Sequence, residues 1–269
     1  MTVVDLLALT PPEADFTIPY GEEPSQFGQL RIPEGEKPHP VMIIIHGGCW
    51  LSAYDLQHIS PLASAITKLG FATWSLEYRR VGDPGGGWPG TFLDVAAGVD
   101  HLTELGAVHH LDLERVFVIG HSAGGHLALW TAARHKLPQD SPLFRPDPLP
   151  MQGVVSLAGV GDLSRLDYQP GCGDAAQRLM GGTREEVPLR YSHASPIELL
   201  PFGVPQILIQ GVRDPIIAHQ GATAFHSAAQ KRGDRCRLVL LENAGHFEVV
   251  IPASPAWGDV RDAVLALLK

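Results

Sequence analysis

From Pro40 onward the chain alternates short apolar runs with longer stretches of helical spacing. The runs at residues 41–46, 72–77, 116–120, 153–158, 206–210 and 238–241 are mostly β-branched or Leu-rich and end on Gly or polar residues, as strands buried on both faces of a parallel sheet do. Between them, apolar positions recur near every 3.6 residues at 56–69, 92–105, 123–134, 218–231 and 256–268, with Gly70 and Gly106 as stop signals. This alternation predicts an α/β fold with a mostly parallel central sheet and helices on both faces. The segment 26–32 precedes the parallel series and alternates weakly, so it is expected in an antiparallel edge hairpin with an earlier segment. Residues 81–90 and 138–150 are Gly/Pro-rich loops. The stretch 161–201 breaks the alternation with short helical pieces at 174–180 and 185–189, and is expected to be a small cap inserted over the carboxyl edge of the sheet. The whole chain, 1–269, then forms one domain.

Charge narrows the partners. Lys and Arg number 20 against 29 Asp and Glu, for a net charge of −9 without any basic run, which excludes a phosphate backbone as ligand. Cys49, Cys172 and Cys236 are few, scattered and odd in number, so neither a disulfide framework nor a CxxC metal set is expected, and a reducing, cytoplasmic setting fits. The apolar run at 3–9 is broken by Asp5 and has no basic flank, so it reads as neither signal peptide nor membrane span. No HxH or HExxH spacing points to a metal.

The chemistry concentrates at strand ends. Gly120-His121-Ser122-Ala123-Gly124 follows an apolar strand and opens a helical pattern, the context in which G-x-S-x-G is a nucleophile elbow. At such a turn, side chains two residues either side of the serine collide, so Gly120 and Gly124 suit the geometry and Ser122 is the candidate nucleophile. His46-Gly47-Gly48-Cys49-Trp50 leaves the strongest strand, where backbone N–H groups can meet an oxyanion; the expected donors are Gly48, Cys49 and Ala123, with Gly47 and His46 shaping the loop. Cys49 as a rival nucleophile is disfavoured because the turn chemistry belongs to Ser122. Trp50, His121 and His193 are candidate pocket residues, with Trp50 equally readable as core.

A serine hydroxyl needs a histidine to take its proton and a carboxylate to orient that histidine. Asp214 follows the strand at 206–210, and His246 follows the last strand, at 238–241. Asp162 lies one strand too early, and Glu242 and Glu248 flank His246 too closely to orient it. His109 and His110 precede a strand and read as surface; His101 and His219 read as ordinary helix residues.

Taken in order, HGGCW at 46–50, GHSAGGHLA at 120–128, RDP at 213–215 and AGH at 244–246 resemble the α/β-hydrolase superfamily from about Pro40 onward. Within it the first motif is similar to that of the kynurenine formamidase and BD-FAE-type esterase branch. The resemblance implies an eight-stranded sheet, no cofactor and the triad Ser122, Asp214 and His246; Cys49 departs from the Gly, Tyr or Ala common in relatives. The expected activity is serine carboxylesterase on a short-acyl or aryl ester. An arylformamidase acting on an N-formylkynurenine-type formamide is the alternative; a non-catalytic small-molecule receptor or a peptidase is weaker.

Overall fold

The computed structural model describes residues 1–269. Eight strands form a single sheet: β1 (Phe16–Pro19), β2 (Phe27–Arg31), β3 (His39–Ile45), β4 (Ala72–Leu76), β5 (Leu111–His121), β6 (Val154–Leu157), β7 (Gln206–Gly211) and β8 (Cys236–Leu241). Their spatial order is β1-β2-β4-β3-β5-β6-β7-β8. The β1–β2 hairpin is antiparallel and β2 joins β4 antiparallel; every other pairing is parallel. This is the α/β-hydrolase architecture, and the weakly alternating segment at 26–32 supplies the inner strand of an edge hairpin.

Continuous apolar runs have a simple cause here. Along β3, Val41, Ile43 and Ile45 enter one core cluster while Met42 and Ile44 enter the other, and β5 divides Val116 and Val118 from Phe117 and Ile119 in the same way. Both of these strands are therefore covered on both faces, as successive side chains point to opposite sides. Helix α5 (Ala123–Ala133) is buried along its whole length, which explains a sequence apolar on every side.

Some boundaries differ from the pattern's forecast. The stretch 56–69 divides into a 3-10 turn, Leu56–Ile59, and α2 (Ser60–Thr67), because Pro61 lacks an N–H and fits only a helix's first turn. The helix expected at 92–105 becomes α3 (Gly90–Asp100) and α4 (Leu102–His109). Gly106 does not end α4: a Cβ there would meet Leu113 Cδ1 at 2.7 Å, so it is small for packing, and His110 in a left-handed conformation ends the helix. An unforeseen helix, α1 (Val3–Leu7), starts with a capping box between Thr2 and Asp5. No helix is long and apolar enough to cross a membrane.

Segment 161–201 contains short 3-10 turns together with α6 (Ala175–Met180) and α7 (Pro188–Ala194). Helix α8 (His219–Lys231) follows β7, and α9 (Trp257–Ala266) follows β8.

Candidate active site

Strand β5 runs into α5 through Ser122, whose φ of 57° and ψ of −119° lie outside ordinary L-residue territory. Close backbone crossing forces that turn. A Cβ on Gly120 would lie 2.0 Å from Gly124 O, and one on Gly124 would lie 2.1 Å from Ile45 O. Two bare glycines thus let the elbow press against the end of β3, which brings Ser122 beside the loop that leaves β3. The Ser122 hydroxyl makes no hydrogen bond to a protein group, and Ser122 and His246 open onto one pocket.

The loop after β3 is held by polar contacts around histidines. His46 sets Nε2 2.9 Å from Glu77 Oε1 and Nδ1 2.8 Å from Gly47 O, while Tyr78 Oη donates to His46 O at 2.8 Å. Gly47 N–H donates to His58 Nε2 at 3.1 Å and is thereby occupied. The N–H groups of Gly48 and Cys49 take no part in the loop's hydrogen bonds, and both residues line the pocket. Ala123 is the first residue of α5, so its N–H has no intrahelical acceptor. Gly48 and Cys49 thus bring uncommitted N–H groups to the pocket that Ser122 lines, and Ala123 offers a third at the N-terminus of α5, a setting that favours negative charge.

Asp214 and His246 meet as the strand-end argument requires: His246 Nδ1 lies 2.7 Å from Asp214 Oδ2. The same oxygen accepts from Gln210 Nε2 at 3.0 Å, and Oδ1 accepts from the N–H groups of Ile216 and Ile217 at 2.8 and 2.9 Å. So held, the carboxylate accepts a hydrogen bond from Nδ1–H, which fixes the tautomer and leaves Nε2 of His246 as the free acceptor. His121 Nε2–H donates to His246 O at 2.9 Å, with the rings 4.6 Å apart. Of the rival acids, Asp162 accepts from Ser164 in a local turn, and Glu248 accepts from Gly245 N–H, bracing the loop that carries His246.

The pocket is a cavity of about 210 Å³. Val3, Tyr54, Ile216 and Phe247 give it apolar walls beside Ser122, His58, His121 and His246. Of the candidate pocket residues, His121 lines the pocket, Trp50 takes its core reading and His193 lies elsewhere. Trp50 points into the core, donating from Nε1 to His126 Nδ1 at 3.2 Å, because the loop turns its indole beneath α5. His193 sits on α7, where its carbonyl accepts from Trp130 Nε1 at 3.0 Å, on a helix docked against α5 away from the pocket. Pattern reasoning missed His58 and Val3, which no motif marks, and Glu77, whose place directly after β4 is the one sequence signal for site support.

The cysteine reading is overturned: Cys49 and Cys172 form a disulfide, and only Cys236 is free. Segment 161–201 folds back over the β3 loop and brings the two sulfurs together across 123 residues of sequence, a proximity that spacing does not encode. The argument for a reducing compartment falls with it.

Several imidazoles here are kept neutral by burial. Burial, reinforced by neighbouring His46, pushes His58 down to about 3, and burial alone pushes His126 down to about 4. Burial first, then His246 and His58, also holds His121 well below the usual histidine range. Folded-state values below the unfolded value mean that the unfolded chain binds more protons, so this stability is present above about pH 6.5 and is lost as pH falls toward 4. Each such group contributes a slope of up to about 1.4 kcal/mol per pH unit in that window. The urea midpoint is therefore expected to fall steeply from pH 7 to pH 5; equal midpoints would contradict neutral burial of these rings.

Comparison with known proteins follows the same lines. The chain is 27% identical over 200 residues to the probable carboxylic ester hydrolase LipM of Mycobacterium tuberculosis, covering 69% of this chain and 44% of that protein. The chain spans about half the length of the curated relatives it matches first. Among solved structures it is similar to a truncated carbohydrate esterase from gut microbiota, with a TM-score of 0.80 at 20% identity, covering 96% of this chain and 99% of the other. It is also similar to esterase B from Lactobacillus rhamnosis, with a TM-score of 0.80 at 23% identity, covering 97% and 90%. The BD-FAE family model matches residues 30–229, from β2 through α8, taking in the β3 loop, the Ser122 elbow and Asp214. On that match the chain belongs to the BD-FAE family.

Proposed function

We propose that this protein is a serine carboxylesterase that hydrolyses small esters with short acyl or aryl groups through an acyl-serine intermediate. The observation that carries the reading is convergence in one cavity: Ser122 on a strained turn, the free N–H groups of Gly48 and Cys49, and His246 oriented by Asp214 at 2.7 Å. Relatives and neighbours named as esterases support it.

In this mechanism Ser122 Oγ attacks the ester carbonyl carbon as its proton passes to His246 Nε2. Charge on the carbonyl oxygen is met by the N–H groups of Gly48, Cys49 and Ala123. Collapse of the tetrahedral intermediate breaks the bond to the alcohol oxygen, which takes the proton from His246. Water then attacks the acyl-serine with His246 as base, releasing the acid and restoring Ser122. Asp214 stabilises the imidazolium formed in each half-reaction. Segment 161–201 acts as a small cap on the Gly171 side of the pocket, and the chain is a single catalytic unit.

Size sets the acyl preference. A dry cavity of about 150 Å³ holds a benzene-sized group, so one of about 210 Å³ suits an acyl chain of a few carbons. In a panel of p-nitrophenyl acetate, butyrate and octanoate with N-formylkynurenine, kcat/KM is expected to peak at the short esters and to fall about tenfold or more by octanoate. Turnover of the formamide without ester hydrolysis would overturn the esterase reading.

A further inference from the structure

The loop carrying the proposed oxyanion donors holds an unfavourable shape. Cys49 and Trp50 both have positive φ, 50° and 57°, a region that side chains with a Cβ disfavour. Neighbouring residues are anchored: Gly47 N–H to His58, Leu51 N–H to Gly48 O at 2.9 Å, and Val81 N–H to Trp50 O at 2.8 Å. Cys49 itself, whose N–H must stay free for substrate, is tied to the rest of the molecule by its sulfur.

At the other end of that bond, Cys172 closes a short 3-10 turn, Pro170–Cys172. This turn is itself attached to the loop that carries the acid: Gly171 N–H donates to Ile216 O at 3.1 Å, and Ala218 N–H donates to Tyr168 O at 2.9 Å. Ile216 and Ile217 in turn give their N–H groups to Asp214 Oδ1. One covalent link thus spans the two halves of the site, joining the donor loop to the segment that packs on the Asp214 loop. Cys49 lines the pocket, and both cysteines are half-buried and not sealed in the core.

We propose that Cys172 is a positioning residue, acting through its bond to Cys49 to hold the oxyanion donors in register with Ser122, and that thiol–disulfide exchange at this bond controls turnover. A dithiol breaks the Cys49–Cys172 bond by giving up two electrons and two protons; both sulfurs become thiols and the dithiol closes into its own disulfide. Freed, the donor loop relaxes from its left-handed turn and the oxyanion loses part of its stabilisation. Misplacing groups by about 1 Å at such a site costs up to about 100-fold.

This inference rests on the esterase reading, and the experiment separates the two. Full-length protein is assayed with p-nitrophenyl acetate before and after dithiothreitol, with Cys172→Ser and Ser122→Ala in parallel; thiols are titrated in denaturant, and circular dichroism at the assay temperature checks folding. The expected titration gives one thiol before reduction and three after. Expected kinetics are a drop in kcat on the order of 10–100-fold on reduction, with KM changed much less. Cys172→Ser should match the reduced protein and ignore dithiothreitol. If the bridge only stabilised the fold, breaking it would lower the melting temperature and leave kcat of the folded protein intact. Three thiols before reduction, or a folded reduced protein with kcat within twofold of the oxidised one, overturns the proposal. If Ser122→Ala keeps its turnover, the esterase reading itself fails.

Discussion

Ser122→Ala is expected to lower kcat/KM for short-acyl esters by about 10⁴-fold or more, with the fold retained. The side chain being removed is an oxygen that makes no hydrogen bond to the protein, so its loss leaves no buried partner unsatisfied. The strained backbone at φ 57° stays, because it is imposed by the glycine crossings at 120 and 124 and not by the serine. The stability change should therefore stay within about 1 kcal/mol, as for substitutions that create neither cavity nor orphaned group. Urea denaturation and steady-state kinetics on one preparation check both halves. A variant within tenfold of wild-type activity removes Ser122 from the chemistry.

Asp214→Asn is the second large effect, and its direction follows from hydrogen-bond bookkeeping. Oδ1 of Asp214 accepts two backbone N–H groups, from Ile216 and Ile217, so the amide oxygen of Asn is held there. The amide NH₂ must then occupy the position of Oδ2, facing His246 Nδ1 and Gln210 Nε2. A donor facing Nδ1 drives the imidazole proton to Nε2, which removes the lone pair that should receive the serine proton. The expected loss is about 10⁴-fold in kcat, the scale seen when the same tautomer change is forced elsewhere, with KM little altered. A loss under tenfold would show that Asp214 does not set the tautomer.

How far the sequence alone reaches is clear from particular elements. β3, β5 and β7 were legible because each is apolar on both faces and ends on glycine or a polar residue, a local pattern that survives in one dimension. The same logic points to Ser122, Asp214 and His246, since parallel strands deliver their following loops to one edge. Features that depend on how distant segments stack were not legible. The Cys49–Cys172 bond joins residues 123 positions apart, and cysteine counting points the other way. For Trp50 the sequence leaves pocket and core equally open, and His193 is a pocket candidate by residue type, yet the direction of a side chain off a loop or helix depends on its packing partner. For Trp50 that partner is His126, and α7 with His193 docks on Trp130. His58 escaped notice because nothing in a helical stretch says that one ring will accept from the glycine loop. The choice between ester and formamide was equally closed to sequence, since both reactions use the same triad.

The central claim is that the hydroxyl of Ser122 forms the covalent intermediate. Diethyl p-nitrophenyl phosphate tests it directly: the attacking oxygen displaces p-nitrophenolate and keeps the diethylphosphoryl group, which peptide mass spectrometry then locates. One label per chain on the peptide carrying Ser122, abolished in Ser122→Ala and sharply slowed in His246→Ala, is the predicted result. A label on any other residue, or ester turnover that continues at full rate with Ser122 unlabelled, contradicts the account.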